Sequence, residues 1–245
     1  MAALIELLRI EPGAIVSLVG AGGKTTTMYR LCHEAADRGW TVVSTTTTAI
    51  QQPTARQSAR VLVEADLPDL AATLRAALAQ DRHVTLAGSW LRPDKLRGVS
   101  EATVQAVSRT ADVVVIEADG ARHHAIKAPA DHEPVVPSAT THFLSVAGLH
   151  ALSQPLGLVC HRPEVAAGLT GQALTEPVTE DALAALLASP SGGLRGRPVG
   201  SLAWVILTHL TGDNTSSARQ IALRLGDAGY DGVIGLSPEE AIDLG

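Results

Sequence analysis

The sequence predicts an α/β fold in which a doubly wound, mostly parallel sheet is carried by a single domain over residues 1–245. Three observations predict it. Short Val/Ile-rich runs recur along the chain, helix-spaced segments fall between them, and the first of the runs ends in a glycine-rich turn that opens a helix. Several of the runs lack polar alternation, as strands buried on both faces do. In such a sheet ligands lie at the carboxyl ends of the strands.

The predicted strands are 14–19, 41–45, 59–63, 83–87, 112–118, 141–146, 204–209 and 232–236. Met1 to Ile10 reads as a short amphipathic helix without the basic start or cleavage site of a signal peptide. Thr25 to Arg38 places Met28, Leu31, Cys32 and Ala35 on one side and stops before Gly39, a C-terminal capping glycine. Further helices are expected over Asp69–Ala79, Ser100–Ser108 and Ser216–Gly226. The stretch 148–200 differs, with five prolines, the run Ser191-Gly192-Gly193-Leu194-Arg195-Gly196, and a helix over Glu180–Ala188 capped by Thr179. It reads as a small helical insertion packed against the sheet, in the position of a lid.

Composition narrows the function. Hydrophobic residues make up 46% of the chain and aromatic ones 2%, so the core must be built from Ala, Val, Leu and Ile. A net charge of −6 leaves no global basic field for nucleic acid or an anionic membrane surface. No apolar run approaches the roughly 20 residues of a membrane span. Cys32 and Cys160 are far apart and form no C-x-x-C pair, which fits two reduced thiols in a cytoplasmic protein. Lys24, Lys95 and Lys127 are the lysines of a chain whose Lys and Arg total 19, so lysine inside a motif points to a specific task.

The first motif is Val19-Gly20-Ala21-Gly22-Gly23-Lys24-Thr25-Thr26-Thr27. Gly20, Ala21, Gly22 and Gly23 can turn their N–H groups toward phosphate oxygens at a helix N-terminus. Lys24 supplies a charge for the outer phosphates, and the Thr25 and Thr26 hydroxyls lie where Mg²⁺ and phosphate would bind. The common phosphate loop has a Gly five positions before the Gly of its Gly-Lys, at position 18 here, where the chain carries Leu18. The loop is therefore two residues shorter than usual and is similar to the ATP loop of Mur-type amide ligases. With the strand and helix around it, it makes the fold P-loop NTPase-like.

The second motif is Asp112-Val113-Val114-Val115-Ile116-Glu117-Ala118-Asp119-Gly120. Glu117 and Asp119, two residues apart, share a face where a buried strand emerges. One carboxylate can hold Mg²⁺ while the other orients a nucleophile. Thr46 and Thr47, in a run of four threonines at the end of the second strand, offer hydroxyls to the same region. The segment Arg122 to Pro134 then crowds cations, imidazoles and acids into a loop that forms the expected substrate wall, with Lys127, His132 and Glu133 as contacts. Arg162, in His161-Arg162-Pro163-Glu164, is a phosphate clamp if the insertion closes over the site. Six of nine histidines lie within 123–161, but adjacent His123 and His124 do not converge on one ion and no H-x-x-x-H helix appears.

Together these residues resemble the YqeC family of selenium-dependent hydroxylase accessory proteins. The resemblance rests on the loop 19–27, the threonine run, Glu117-Ala-Asp-Gly-Ala121, Lys127-Ala-Pro-Ala-Asp-His-Glu-Pro134, His161-Arg-Pro-Glu164 and Leu169-Thr-Gly171. It implies a role in making or inserting a labile selenium-containing cofactor of molybdenum hydroxylases, with a molybdopterin-type cofactor as substrate and the hydroxylase as partner. Relatives carry an Asn-Lys-x-Asp element for guanine after the strand at 204–207. This chain has Thr208-His209-Leu210-Thr211-Gly212-Asp213 instead, so the nucleotide is ATP or GTP with Mg²⁺. Three readings of its use follow: hydrolysis or transfer, Mur-like ligation of a small substrate, and a nucleotide-switched chaperone.

Overall fold

A computed structural model describes residues 2–245, so the first residue of the predicted N-terminal helix, Met1, lies outside the described residues. The rest of that helix is a single turn, α1 (Leu4–Leu7), with Leu4 and Ile5 buried. Eight parallel strands build the main sheet: β1 (Ala14–Gly20), β2 (Val42–Thr46), β3 (Val61–Val63), β4 (His83–Ala87), β5 (Val113–Glu117), β6 (His142–Gly148), β7 (Leu202–Thr208) and β8 (Gly232–Leu236). A ninth strand, β9 (Ala241–Asp243), adds antiparallel to β8 at one edge.

Their order across the sheet is β9-β8-β7-β6-β1-β5-β2-β4-β3. From β1 the chain first winds to one side, through β2, β3, β4 and β5, and then to the other through β6 to β9. The direction reverses around β1, and in open α/β sheets that switch point opens a crevice beyond the carboxyl ends of the strands. The register sets Leu18 of β1 and Thr46 of β2 opposite Glu117 of β5, and Gly20 opposite Val146 of β6. The chemistry-bearing strand ends are thus level.

Helices cover both faces. On one, α1 and α2 (Lys24–Asp37) bury Leu4, Ile5, Met28 and Leu31 against Val16, Leu18, Val113 and Val115. On the other, α3 (Leu70–Gln80) and α4 (Glu101–Val107) pack on Val43, Val84, Val114 and Ile116. Period-2 alternation in β5 divides its side chains between these cores and puts Glu117 on the α2 face. Asp69, Ser100 and Thr179 cap α3, α4 and the later helix over Glu180–Ala188 by accepting from backbone N–H groups at 2.9, 3.1 and 3.2 Å. Beyond α2, Gly39 takes a left-handed φ of +82° and donates to Ala36 O, the predicted helix stop.

The segment 148–200 connects β6 to β7 through α5 (Leu156–Val159), α6 (Pro163–Thr170) and α7 (Glu180–Ala188). Leu183, Leu186 and Leu187 of α7 share a core with Ile221 and Leu225 of α8 (Thr215–Leu225) and with Val205 and Leu207 of the sheet. This segment, expected in the position of a lid, is for the most part a crossover layer of the domain. A three-stranded antiparallel sheet (Ala49–Gln51, Ser89–Arg92, Lys95–Arg97) and a two-stranded pair (Ile126–Lys127, Cys160–His161) were not predicted. Both cysteines are buried and unpaired. Among the described residues no helix is long and apolar enough to cross a membrane.

Candidate functional site

The glycine loop lies where β1 runs out between β5 and β6. Leu18 is fully buried in the strand, so the turn starts at Gly20 and the shortened loop is a real local geometry. Gly20 and Gly22 have φ of +92° and +79°, and a Cβ on either would sit 2.3 Å from a carbonyl oxygen, that of Val146 or Ala125. Gly23 starts α2 at φ +140°, with Thr208 packed against it and donating from its hydroxyl to Gly22 O. The loop is therefore clamped by the backbone of Val146, Ala125 and Gly148 and by the Thr208 side chain.

Not all of its donors are free. The N–H of Gly20 goes to Asp119 Oδ2 at 3.1 Å and that of Ala21 to Val146 O at 2.9 Å. Among the described residues the N–H groups of Gly22, Gly23, Lys24, Thr25 and Thr26 have no protein acceptor. Five successive donors at the start of a 14-residue helix add its positive dipole end to their own partial charges.

Above the loop the carboxylates converge as the sequence predicts. Thr25 Oγ1 donates to Glu117 Oε2 at 2.7 Å. Lys24 Nζ lies 3.1 Å from Asp119 Oδ1, 3.9 Å from Glu117 Oε1 and 2.5 Å from Gly20 O. At 4% exposure Lys24 is turned onto these acids, away from solvent. Burial pushes Glu117 above the usual carboxylate range, and the nearby charge of Lys24 and the Thr25 hydrogen bond offset only part of that.

The substrate-wall residues have different tasks from those expected. The Lys127 ammonium donates to Gly120 O at 2.6 Å and forms ion pairs with Asp119 Oδ2 at 2.9 Å and Glu133 Oε2 at 2.8 Å. Expected to contact substrate, it is 6% exposed and braces Asp119. Glu133 also pairs with Arg162 at 2.8 Å. Burial alone would raise Glu133, but the hydrogen bond and charge of Lys127 and the charge of Arg162 outweigh it and hold the carboxyl below its usual range. Arg162, with a left-handed φ of +65°, caps the start of α6 and faces Glu133 rather than the loop. His132 is exposed and makes none of these contacts.

The threonines differ as well. Thr46 donates to Glu117 O at 2.8 Å and Thr47 to Val135 O at 2.6 Å, so hydroxyls expected at the phosphates instead fix the backbone beneath the acids. Sequence reasoning also passed over Thr208, Gly148 and Ala125, which shape the loop.

A family model described as YqeC protein matches residues 16–164, from within β1 through the acidic strand to the start of α6. The chain belongs to the YqeC family. The YqeC protein of Escherichia coli (strain K12) is 30% identical over 204 residues, which cover 81% of this chain and 77% of that one. The family match takes in the glycine loop, Glu117, Asp119, Lys127, Glu133 and Arg162, so the whole ion-pair chain lies within the YqeC region. Among solved structures, the crystal structure of FtsY from Mycoplasma mycoides is similar at a TM-score of 0.33 and 13% identity, over 91% of this chain. The chain spans about half the length of that structure, 51%.

Glu117 gives a stability prediction. Its native pKa is raised, so between the unfolded and native values the native state binds more protons and stability falls as pH rises. At neutral pH the burial of this acid therefore opposes folding. Glu117→Gln keeps the hydrogen-bonding shape and is expected to raise the thermal midpoint by a few degrees at pH 7. The gain should shrink as pH falls through the raised native value and be gone below about 4.5, where the acid is protonated in both states. Thermal unfolding at pH 4 and 7 checks it.

Proposed function

We propose that this chain is a Mg²⁺-dependent nucleoside-triphosphate-binding enzyme, an NTPase or NTP-dependent transferase acting in the cytoplasm. The observation that carries the reading is the row of five acceptor-free N–H groups, 22–26, at the mouth of the shortened glycine loop. Lys24 is buried, Gly22, Gly23 and Thr25 are half-buried and Thr26 is exposed, and an anion with several oxygens is the partner that successive donors at a helix start suit.

The residues present fit Mg²⁺. Among the described residues no three His, Cys, Asp or Glu side chains gather into a metal cage. Thr25 and Glu117, 2.7 Å apart with Asp119 beside them, supply a hydroxyl and carboxylates only. That leaves room for phosphate oxygens and water, as Mg²⁺ prefers. Bound there, Mg²⁺ would neutralise charge on the outer phosphates. The chain's own groups would do the rest: Gly22 to Thr26 hold phosphate oxygens, Lys24 moves from Asp119 to the outer phosphate, and Asp119, braced by Lys127, orients the attacking group.

The motif resemblance supports placing this reaction in maturation of a selenium-containing molybdenum hydroxylase cofactor, with a molybdopterin-type substrate and the hydroxylase as partner. One observation favours a nucleotide-switched reading of the same site. Lys24, Asp119, Lys127, Glu133 and Arg162 form an unbroken chain of ion pairs from the loop to the start of α6. Moving Lys24 onto a phosphate would alter its first link.

Calorimetric titration with ATP, GTP and CTP in Mg²⁺, followed by product analysis with selenide and a molybdopterin cofactor, tests the proposal. An enzyme releases phosphate faster when the acceptor is added. A switch turns over slowly and changes partner affinity instead. Failure of all three nucleotides to bind would overturn both.

A further inference from the structure

Beside the glycine loop lies an open cavity of about 280 Å³ that the proposed nucleotide site does not use. Its walls include Arg122, His123, His124 and His150, with Leu158 and Val159 as an apolar side. We propose that this cavity binds a small organic phosphate monoester, the second substrate of the site.

Its position is fixed by backbone contacts. Ala125 lies in its wall, and Ala125 O accepts from Gly148 N at 2.9 Å and is the atom that a Cβ on Gly22 would meet. His150 stands against Gly148, and its ring meets that of His209 edge-on at 4.1 Å, next to the Thr208 hydroxyl on Gly22 O. A ligand here would lie alongside the end of the loop that faces the outer phosphates. That role as second substrate rests on the nucleotide reading; the anion binding does not.

The charge is local and unmatched. The chain carries −6 overall, yet Arg122 takes part in no ion pair among the described residues. Burial, together with Arg162, Lys127, His124 and Arg122, holds the neighbouring His161 down to about 4, as expected in a cationic surrounding. Guanidinium and imidazole N–H groups suit oxyanions, and with no three-ligand metal group among the described residues an anion is the better match.

The backbone is strained in the same place. Arg122 and His123 in the wall, and His209 against His150, have φ between +48° and +63°, a left-handed conformation that side chains rarely adopt. Such residues cluster where a ligand site demands them. Leu158, 73% exposed, gives the apolar side a surface that an organic body would cover. The volume is near the roughly 300 Å³ at which small-molecule sites begin.

Phenyl phosphate, which joins one phosphate to an apolar ring, is the probe, with benzoate as the carboxylate control. In calorimetry on the full chain, Arg122→Gln and His150→Asn are each expected to weaken phenyl phosphate by about tenfold, the loss of one charge-assisted hydrogen bond. Lys24→Ala should leave phenyl phosphate affinity within about twofold, because Lys24 faces the loop. Circular dichroism verifies that each variant is folded. No phenyl phosphate binding at about 10 mM, equal binding of benzoate, or loss of the probe with Lys24→Ala would each overturn the proposal. Wild-type protein that binds phenyl phosphate as expected but no Mg²⁺–nucleotide would overturn the nucleotide reading alone.

Discussion

Lys24→Ala is expected to lower affinity for a Mg²⁺–nucleoside triphosphate by at least about 100-fold, roughly 3 kcal/mol, while the chain stays folded. The five free N–H groups would still attract phosphate through partial charges, but the one full cation at the loop would be gone. Removing a buried lysine from an ion pair often unfolds a protein because an uncompensated charge remains. Here two features limit that. Asp119 keeps Lys127 at 2.9 Å and the Gly20 N–H at 3.1 Å. Glu117 keeps its Thr25 hydrogen bond, and a carboxyl already pushed up by burial can take a proton instead of standing ionised. Lys24→Arg should fail to rescue binding, since a planar fork cannot occupy the pocket of a compact ammonium held by Gly20 O and Asp119. Calorimetry with circular dichroism decides it, and unchanged nucleotide affinity in a folded Lys24→Ala chain would remove Lys24 from the site.

What the sequence could reveal followed from local periodicity. Apolar runs with no polar alternation predict strands buried on both faces, and β1, β5 and β6 sit at the centre of the sheet. Counting by two along Val113 to Asp119 puts both acids on one face, and the register then brings Glu117 to Thr25. The partners of Lys127 were not legible in this way. Its three partners lie at positions 119, 120 and 133, joined only by the path of an irregular loop, and no periodicity says that a lysine will be used up there. The same holds for Thr46 and Thr47, whose hydroxyls find main-chain oxygens set by the neighbouring strand and by the loop at Val135. The small sheet formed by 49–51, 89–92 and 95–97 has strands of three or four residues, half of them exposed, too short for alternation to register. β9 needs only an edge of β8 to pair with, and its three residues carry no signal of their own.

Gly22→Ala is expected to destabilise the fold by about 3–5 kcal/mol, well beyond the roughly 1 kcal/mol of an ordinary glycine replacement. Two costs add. At φ +79° any Cβ is strained, by roughly 1–2 kcal/mol. The new Cβ would also lie 2.3 Å from Ala125 O and 2.6 Å from Gly148 N. Those atoms cannot retreat cheaply, because they bond to each other at 2.9 Å and belong to the backbone that positions β6 and the wall beside the loop. Gly39→Ala separates the two costs. Gly39 has nearly the same φ, +82°, with nothing within 4 Å of its Cβ position, so its replacement should cost only the conformational part, about 1 kcal/mol. Urea unfolding of the two variants side by side measures the difference. If Gly22→Ala costs no more than Gly39→Ala, the loop is not clamped by Ala125 and Gly148. The close approach that gives the shortened loop its shape would then have to come from elsewhere.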